Sequence, residues 1–492
     1  MDYIKDYFIF DQLNIILVIT GMIITLLTLF TARLHLDKGL KKFYLLSVFY
    51  VISFILIIFT RDWLVFFVAW EMVTVTTSLM LLWKDKGLSA QYLIIQFAGS
   101  SILLFAILMS VRQGYTGIEF VEEFWLQILL IIGLGTKSAL FGLHFWLPSI
   151  YLQAPVTFNA ISSGWVVKLG FIIMARLIQN GNSLLLILGF IMIFYGGIKA
   201  LSTVDLKLIL SYSSISQLGY IALGIGAGTI YGYTGSILHI ILHGLIKTGL
   251  FLSAGYIINK YGSSLISKIK NLWYRSKGIS LFMIFCFLAL SGVPFLAVFY
   301  SKYLIKYGLQ DGWLFTYLLY TGSLLTVMYS IRSIYFMFLK DSNSEDHDVE
   351  KEGKVNKEIR FNRDVDGSYS PASVEYLVFI SITVVLLTIG LYPGFITNSI
   401  QQNMSMDYNY LKGLMEILVF AAITIIVMKR INWMQDVSIK NPSLDPFFNK
   451  VNKIVYNGSR YLYMAIYKDF QYQLLYITLL MFVLFIFVML GA

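Results

Sequence analysis

The chain of 492 residues is 58% hydrophobic and only 13% charged, whereas about a quarter of the residues in a typical soluble domain are charged. This composition excludes a large water-soluble module and predicts one membrane domain. Its net charge of +10 resides in short loops between apolar runs, where anionic lipids, and not nucleic acid, are the expected partners. Cys286 is the single cysteine, which excludes an intrachain disulfide and a thiolate metal cluster. We therefore expect no cofactor bound by this chain.

Apolar runs long enough to cross a bilayer recur along the chain. About 20 helical residues cross roughly 30 Å of hydrocarbon, and we find about 14 such runs. The pattern predicts an all-α polytopic membrane protein. The first ten residues lack the features of a signal peptide, so we expect the first run to be a retained span. The runs begin near residues 12, 42, 62, 89, 124, 155, 182, 207, 233, 278, 312, 374, 411 and 473.

We divide the chain into three parts. Residues 1–340 form the predicted ion-translocating core, with one repeat at about 42–178 and a second at about 182–340. Residues 341–373 form a densely charged, solvated loop. Residues 374–492 form the C-terminal helices.

Loops that carry lysine and arginine alternate with loops that are sparse in both, so the basic loops, which include Lys38, Lys84 and Lys260, fall on one side of the predicted membrane domain. The positive-inside tendency then predicts that both termini lie outside and the charged loop inside. Near-helical spacing over about 448–470 predicts a short lateral helix along the membrane or against a partner, with a structured loop as the alternative. We expect a bacterial or archaeal cytoplasmic membrane, with an organellar inner membrane as the alternative.

One carboxylate and four ammonium groups stand near the middle of predicted spans, where each costs at least about 2.5–3.5 kcal/mol. Burial favours the neutral form of an ammonium group, and a nearby carboxylate favours the charged form. Moving or neutralising that carboxylate would make a lysine bind or release a proton, so the set predicts a proton path. For any single lysine, snorkelling or a fixed salt bridge is the alternative. The residues are Glu71, Lys137, Lys168, Lys247 and Lys302.

Histidines accompany two of these lysines. His144 follows Lys137, and His239, His243 and Lys247 recur every four residues along one helical face. The stripe predicts a polar environment. A metal site at the two histidines is the alternative, but the stripe lacks a carboxylate or thiolate, and we expect no metal.

Three prolines lie close to the lysines of two spans. Pro148 and Pro155 flank the end of the Lys137 span, and Pro294 precedes Lys302. Broken helices are tolerated at membrane depth where they line protein or a water-filled cavity. Two such segments five spans apart predict two inverted five-helix repeats.

These motifs resemble the antiporter-like subunits shared by proton-pumping NADH:quinone oxidoreductase (complex I), Mrp-type sodium/proton antiporters and membrane-bound hydrogenases. The resemblance covers most of the chain. It rests on FDQLN at 10–14, WE at 70–71, KSALFGLHFWLPSIYLQAP at 137–155, VKLG at 167–170, DLKLILSYSSISQLGYIALGI at 205–225, HIILHGLIKTGLFLSAG at 239–255 and SGVPFLAVFYSK at 291–302.

The resemblance implies a role for each matching residue. Glu71 would pair with Lys137 on a broken helix, and Lys168 would be the central lysine. His243 and Lys247 would bridge two half-channels, and Lys302 would be the terminal site. Asp205 and Lys207 match a loop motif that would secure structure.

This sequence departs from the family's pattern in two places. FDQLN normally follows two earlier helices, so we expect the family's first two helices to be missing here. The usual PP and following glycine before the terminal lysine read PF and Val298, so the position of the second break is open.

The resemblance implies a non-catalytic subunit that translocates H+, or exchanges H+ for Na+, within a redox-driven complex or an antiporter. Its partners would be other membrane subunits, including antiporter-like homologues. Two alternatives stay open: a membrane subunit of an inorganic-carbon uptake system, and a stand-alone secondary transporter. A purely structural scaffold is a third.

Overall fold

The computed structural model describes residues 7–36, 38–269, 272–309, 313–339, 373–400, 410–430, 450–451 and 453–458. Within these residues the chain is helical and has no β-strand beyond three isolated bridges. The predicted all-helical fold class is confirmed. Of the predicted charged loop, 341–372 lies outside the described residues, as does the run near 473.

We number the helices in chain order. They are α1 Gln12–His35, α2 Leu40–Phe59, α3 Trp63–Leu81, α4 Lys86–Arg112, α5 Phe124–Lys137, α6 Trp146–Gln153, α7 Val156–Leu177, α8 Ser183–Ser202, α9 Leu206–Gly226, α10 Ile230–Tyr261, α11 Leu272–Arg275, α12 Lys277–Ser291, α13 Ala297–Tyr307, α14 Trp313–Ile334, α15 Ser373–Leu391, α16 Gly394–Ile400 and α17 Tyr410–Arg430.

Among the described residues, ten helices are long and apolar enough to cross a membrane: α1 to α4, α7 to α10, α15 and α17. The helices α5 and α12 are apolar but shorter. The predicted count of about fourteen spans is therefore not confirmed. Of the predicted lateral helix, 450–451 and 453–458 are helical, and the rest lies outside the described residues.

Polar residues directly before the apolar runs begin several helices. The carboxylates of Asp62, Asp85 and Asp205 accept hydrogen bonds of 2.8, 2.8 and 3.1 Å from backbone N–H groups three residues later. Asn182 caps α8 in the same way at 3.1 Å. Each cap satisfies a backbone donor that the helix leaves unpaired and stabilises it by about 1 kcal/mol.

The first predicted broken helix is present. α5 ends at Lys137, and α6 begins at Trp146 after a segment without regular helix. Within that segment Ala139 and Gly142 have φ of 52° and 88°. Left-handed backbone at a non-glycine residue costs about 1–3 kcal/mol and persists only where the surroundings enforce it. The break is therefore held by its packing.

The structure corrects the role predicted for the prolines at this break. Pro148 is the third residue of α6, in a first turn whose N–H groups have no helical partner in any case. Pro155 is the N-cap of α7. Both prolines follow the break and do not cause it.

The second broken helix separates α12 from α13. Gly292 and Phe295 have φ of 80° and 66°, and Pro294 lies between them. α13 then carries Lys302 in its second turn. Here the proline does lie in the break, although the usual second proline is replaced by Phe295. The inverted relationship of the two repeats stays a prediction.

α10 lies at the centre of the fold and packs against α1, α7, α9, α12 and α13. A Cβ on Gly244 would lie 2.7 Å from the carbonyl oxygen of Gly164, so the backbones of α10 and α7 touch. Lys247 and Lys168 follow these two glycines by three and four residues, about one helical turn. The glycine contact therefore sets the spacing of two predicted site lysines.

Candidate functional site

Lys137 binds α3 at the first break. Its Nζ donates hydrogen bonds of 2.8 Å to the carbonyl oxygen of Trp70 and 2.9 Å to Oγ1 of Thr74, and it lies 4.0 Å from the centre of the Trp70 ring. As the last residue of α5 it also lies at the negative end of that helix dipole. Carbonyl, hydroxyl and ring all stabilise a cation.

Glu71 is adjacent to this site but does not bond to Lys137 directly. The residue is 5% exposed, and no described residue donates a hydrogen bond to its carboxylate oxygens. Lys137 is nevertheless close enough to interact with the carboxylate electrostatically, and the hydroxyl of Ser100 lies beside it. The two predicted residues thus lie close together, with the ammonium group held by α3 and the carboxylate beside it.

Lys168 is fully buried on α7, directly after a π-helical turn at Ser162–Val166. Its Nζ donates a hydrogen bond to the carbonyl oxygen of Ser163. The Ser163 hydroxyl in turn lies 3.0 Å from the hydroxyl of Ser214 on α9. Because a π-turn inserts an extra residue, it frees carbonyl groups for such side-chain bonds, and such turns are frequent at functional sites.

Lys247 on α10 repeats the arrangement of Lys137. Its Nζ donates hydrogen bonds of 2.9 Å to the carbonyl oxygen of Leu210 and 2.7 Å to Oγ of Ser213, both on α9. In each case a lysine on one helix binds a carbonyl and a nearby hydroxyl on an earlier helix.

His239 and His243 stack on one face of α10, with ring centres 5.8 Å apart. Nδ1 of His239 lies 2.9 Å from Oγ of Ser301 on α13. Within the described residues, neither ring nitrogen of His243 has a hydrogen-bond partner. The same is true of Nε2 of His239. These are buried polar atoms that cost free energy unless a small polar molecule such as water reaches them.

Lys302 stands beside the second break. Its Nζ donates a 2.8 Å hydrogen bond to the carbonyl oxygen of Leu290, in the last turn of α12, and lies 4.7 Å from the centre of the Tyr220 ring. Like Lys137, it therefore lies at a helix break and contacts both a backbone carbonyl and an aromatic face.

The structure brings the predicted residues of α7, α10 and α13 into one electrostatic group. His243 interacts with Lys168, Lys247, His239 and Lys302. Glu71 and Lys137 form a separate pair toward α3. Because buried like charges oppose one another, a charge on one member of the larger group disfavours charge on the others.

The supporting residues stabilise the breaks and loops. His144 stacks on Phe141 at 5.2 Å, and its Nδ1 accepts a 3.2 Å hydrogen bond from the N–H of Gly142 within the first break. Asp205 caps α9 and accepts a hydrogen bond from the Ser264 hydroxyl.

Lys207 donates hydrogen bonds to two carbonyl oxygens at the end of α6, those of Leu152 and Ala154, at 3.2 and 2.8 Å. These contacts fix the C-terminal end of α6 and do not face the larger group.

Several buried ionic groups escaped the sequence analysis. Arg176 at the end of α7 donates to Oδ1 of Asn14 at 2.6 Å and to the carbonyl oxygen of Ile58. Nε2 of His35 lies 3.7 Å from Oε1 of Glu375. All stand near helix ends, and the rule applied to mid-span charges would have found them if it had been extended to the ends of the apolar runs.

The chain matches one family model over residues 60–326, more than half of its length. The model is described as "NADH:quinone oxidoreductase/Mrp antiporter, TM". The chain belongs to this family. The range includes all of the predicted site residues from Glu71 to Lys302.

Curated members of the family share its sequence at moderate identity. NADH-ubiquinone oxidoreductase chain 5 of Patiria pectinifera is 31% identical over 62% of this chain and 51% of its own length, so the chain spans about half of that relative. NAD(P)H-quinone oxidoreductase chain 4 of the Nicotiana tabacum chloroplast is 27% identical over 78% and 79%.

Solved structures show the same family fold. A chain of respiratory complex I from Thermus thermophilus superposes with a TM-score of 0.68 at 22% identity, over 84% of this chain and 86% of its own. A chain of the Mrp complex from Dietzia sp. DQ12-45-1b gives 0.74 at 21% identity, over 98% of this chain and 55% of its own. At these identities the likeness establishes the antiporter-like fold.

Proposed function

We propose that this chain translocates H+, or exchanges H+ for Na+, as the antiporter-like subunit of a multisubunit membrane complex. One observation supports it most: five buried basic side chains on three helices lie close enough to interact electrostatically around His243. Burying ionisable groups in a membrane domain costs free energy, and where such groups are kept they mark ion pathways or proton relays. The five are Lys168, His239, His243, Lys247 and Lys302.

The first step takes place at Glu71 and Lys137. While Glu71 is ionised it favours a charged Lys137; once the carboxylate is protonated or displaced, Lys137 gives up its proton. The loss of charge at Lys137 then favours protonation of Lys168. Water between the two lysines would carry the proton, since no hydrogen bond among the described residues joins them directly.

The second stage runs along α10. A proton on Lys168 or Lys247 repels charge at His243, and the paired imidazoles relay it to Ser301 and Lys302. Each imidazole nitrogen can donate or accept, which suits histidine to a relay. Lys302, beside the second break, is the terminal site.

Partner subunits would supply the driving event. The solved relatives are chains of complex I, of an Mrp complex and of an archaeal membrane-bound sulfane sulfur reductase complex, which supports other membrane subunits as partners. We retain the division into a core at 1–340 and C-terminal helices at 374–492, anionic lipid at the basic loops, and both termini outside.

Ion transport in membrane vesicles containing the whole complex tests the proposal. We expect Glu71→Ala or Lys137→Ala to abolish transport while the complex still assembles. Glu119→Ala and Lys41→Ala, at exposed loop and helix-end positions, are the matched controls and should transport normally. Wild-type transport by both site variants would refute the proposal.

Identifying the co-purifying subunits decides the parent complex. Iron–sulfur or nickel subunits would indicate a redox-driven pump, whereas small membrane proteins alone would indicate an antiporter. Transport by the purified chain alone would favour a stand-alone transporter, and dependence on one large soluble partner a carbon-uptake system.

A further inference from the structure

A cavity opens beside Lys302 and reaches α17. It is bounded by α9, α12, α13, α14 and α17, and its volume is about 60 Å³. Because a cavity of about 10–15 Å³ holds one water molecule, this one has room for several. Its polar lining is made of Tyr220, Ser291, Lys302, Tyr303, Lys306, Tyr320, Ser323 and Glu416.

Glu416 on α17 is the one acid among the described residues that line this cavity. Its Oε1 lies 3.6 Å from Nζ of Lys306 and accepts a 3.1 Å hydrogen bond from the hydroxyl of Tyr320. Nζ of Lys306 also lies 3.6 Å from the centre of the Tyr320 ring. The ion pair therefore joins α13 to α17, and the bond from the Tyr320 hydroxyl holds the carboxylate in place.

The position of Glu416 is fixed by how α17 docks on the second break. The Tyr410 ring stacks on Phe295 with centres 4.7 Å apart, and its hydroxyl bonds to that of Tyr300. A Cβ on Gly413 would lie 2.5 Å from the Phe299 ring, so the helices are in close contact there. Glu416 is the next residue along this side of α17, three after Gly413.

Lys302 and Lys306 are one helical turn apart on α13 and line the same cavity. Side-chain exposure of Lys306 and Glu416 is 24% and 29%, whereas Lys302 as a whole is 9% exposed. The cavity thus leads from a buried cation to a half-exposed carboxylate.

We propose that Glu416 accepts the proton that leaves Lys302 and passes it to the surrounding water, a step that rests on the proposed function above. An N–H bond of the Lys302 ammonium breaks, cavity water carries the proton, and an O–H bond forms on Glu416. Lys302 becomes a neutral amine and Glu416 becomes a neutral acid. Glu416 then releases the proton to the water outside the cavity. Lys306 and Tyr320 position the carboxylate. Residue 416 lies beyond the range of the family model, 60–326.

Transport in vesicles containing the whole complex tests this assignment. Glu416→Gln keeps the acceptor for the Tyr320 hydroxyl but cannot take up a proton, and we expect a fall in rate of about 100-fold, as for loss of a general base. Glu416→Asp should retain most of the rate. The matched control is Glu119→Gln, the same change at an exposed loop, and Lys302→Ala is the reference for a lost path.

A second experiment separates proton transfer from structure. Glu416→Ala leaves space beside Lys306 for a small acid, so formate should restore transport to this variant but not to Lys302→Ala. The inference is overturned if Glu416→Gln transports like the wild type while Lys302→Ala does not, and equally if Glu416→Ala is inactive with and without formate. Normal transport by Lys302→Ala would instead remove the proposed path itself.

Discussion

Lys247 donates a 2.7 Å hydrogen bond to the hydroxyl of Ser213, across the contact between α10 and α9. The same ammonium group bonds to the carbonyl oxygen of Leu210, one turn earlier on α9. Lys137 makes the equivalent pair of bonds to Thr74 and Trp70 on α3. One lysine at the first break and one at the centre of the fold are thus held by the same two contacts, a backbone carbonyl and a hydroxyl one turn apart.

Ser213→Ala should slow ion transport by about ten- to 100-fold, because a hydrogen bond to a charged group contributes about 1.5–3 kcal/mol. The substitution removes a hydrogen bond that stabilises the charged form of Lys247 more than the neutral form. Initial rates in vesicles measure the effect. Ser101→Ala, at an exposed position on α4 where the hydroxyl bonds only within its own helix, is the control. An unchanged rate for Ser213→Ala would show that this bond does not hold a working charge.

Gly244→Ala should lower both stability and transport. Its Cβ would lie 2.7 Å from a backbone carbonyl oxygen that cannot rotate away, so α10 and α7 must separate. Overpacking of this kind costs about 1–3 kcal/mol, and it moves Lys247 away from Lys168. The unfolding temperature in detergent and the transport rate are the measurements. Gly394→Ala is the control, since its Cβ would meet no atom closer than 3.7 Å. Equal behaviour of the two variants would contradict the close packing.

Arg176→Met should destabilise the fold by about 1.5–3 kcal/mol for each hydrogen bond that the charged guanidinium loses. The guanidinium joins α7 to Asn14 of α1 and to the end of α2, and methionine leaves those acceptors unpaired. The unfolding temperature of the purified complex measures this loss of stability. Arg112→Met, on the exposed end of α4, should be near neutral. If both variants unfold at the wild-type temperature, Arg176 has no such role.

Lys207→Ala should affect stability and leave the mechanism of transport intact. It removes two hydrogen bonds to the end of α6, each worth about 1.5–3 kcal/mol at most for a charged donor. We expect earlier unfolding, and a normal transport rate per assembled complex. A complex that assembles fully yet does not transport would place Lys207 in the ion path.

Much of the architecture was predictable because lipid imposes a simple rule on composition. An apolar run must become a helix, since a membrane offers no other partner for its backbone groups. The predicted starts near 62, 182 and 207 lie within one residue of α3, α8 and α9, where a polar cap precedes the run. The count of spans did not follow. Of the four predicted runs that are not among the ten candidate spans, α5 and α12 stop at breaks, α14 does not meet the same criterion within the described residues, and the run near 473 lies outside them.

The same rule located the buried charges but not their partners. Lys137 was predicted to pair with Glu71, and the two are close, yet the bonds of Lys137 go to Trp70 and Thr74. The Trp70 carbonyl lies inside α3, and nothing in the sequence marks a backbone carbonyl within a helix as the acceptor of a side-chain bond. Glu416 was missed because it stands in the second turn of α17, whereas the rule was applied to charges near the middle of spans.

The sequence by itself determined the helical membrane class, the family and the charges kept inside apolar runs, since these depend on composition and local spacing. Tertiary structure decided which charges meet: the contact of Gly244 with Gly164 sets Lys247 beside Lys168, and the docking of α17 brings Glu416 to the cavity of Lys302. Such meetings depend on how closely helices distant in the chain approach. That distance is set by packing of side chains and backbone, and no local pattern contains it.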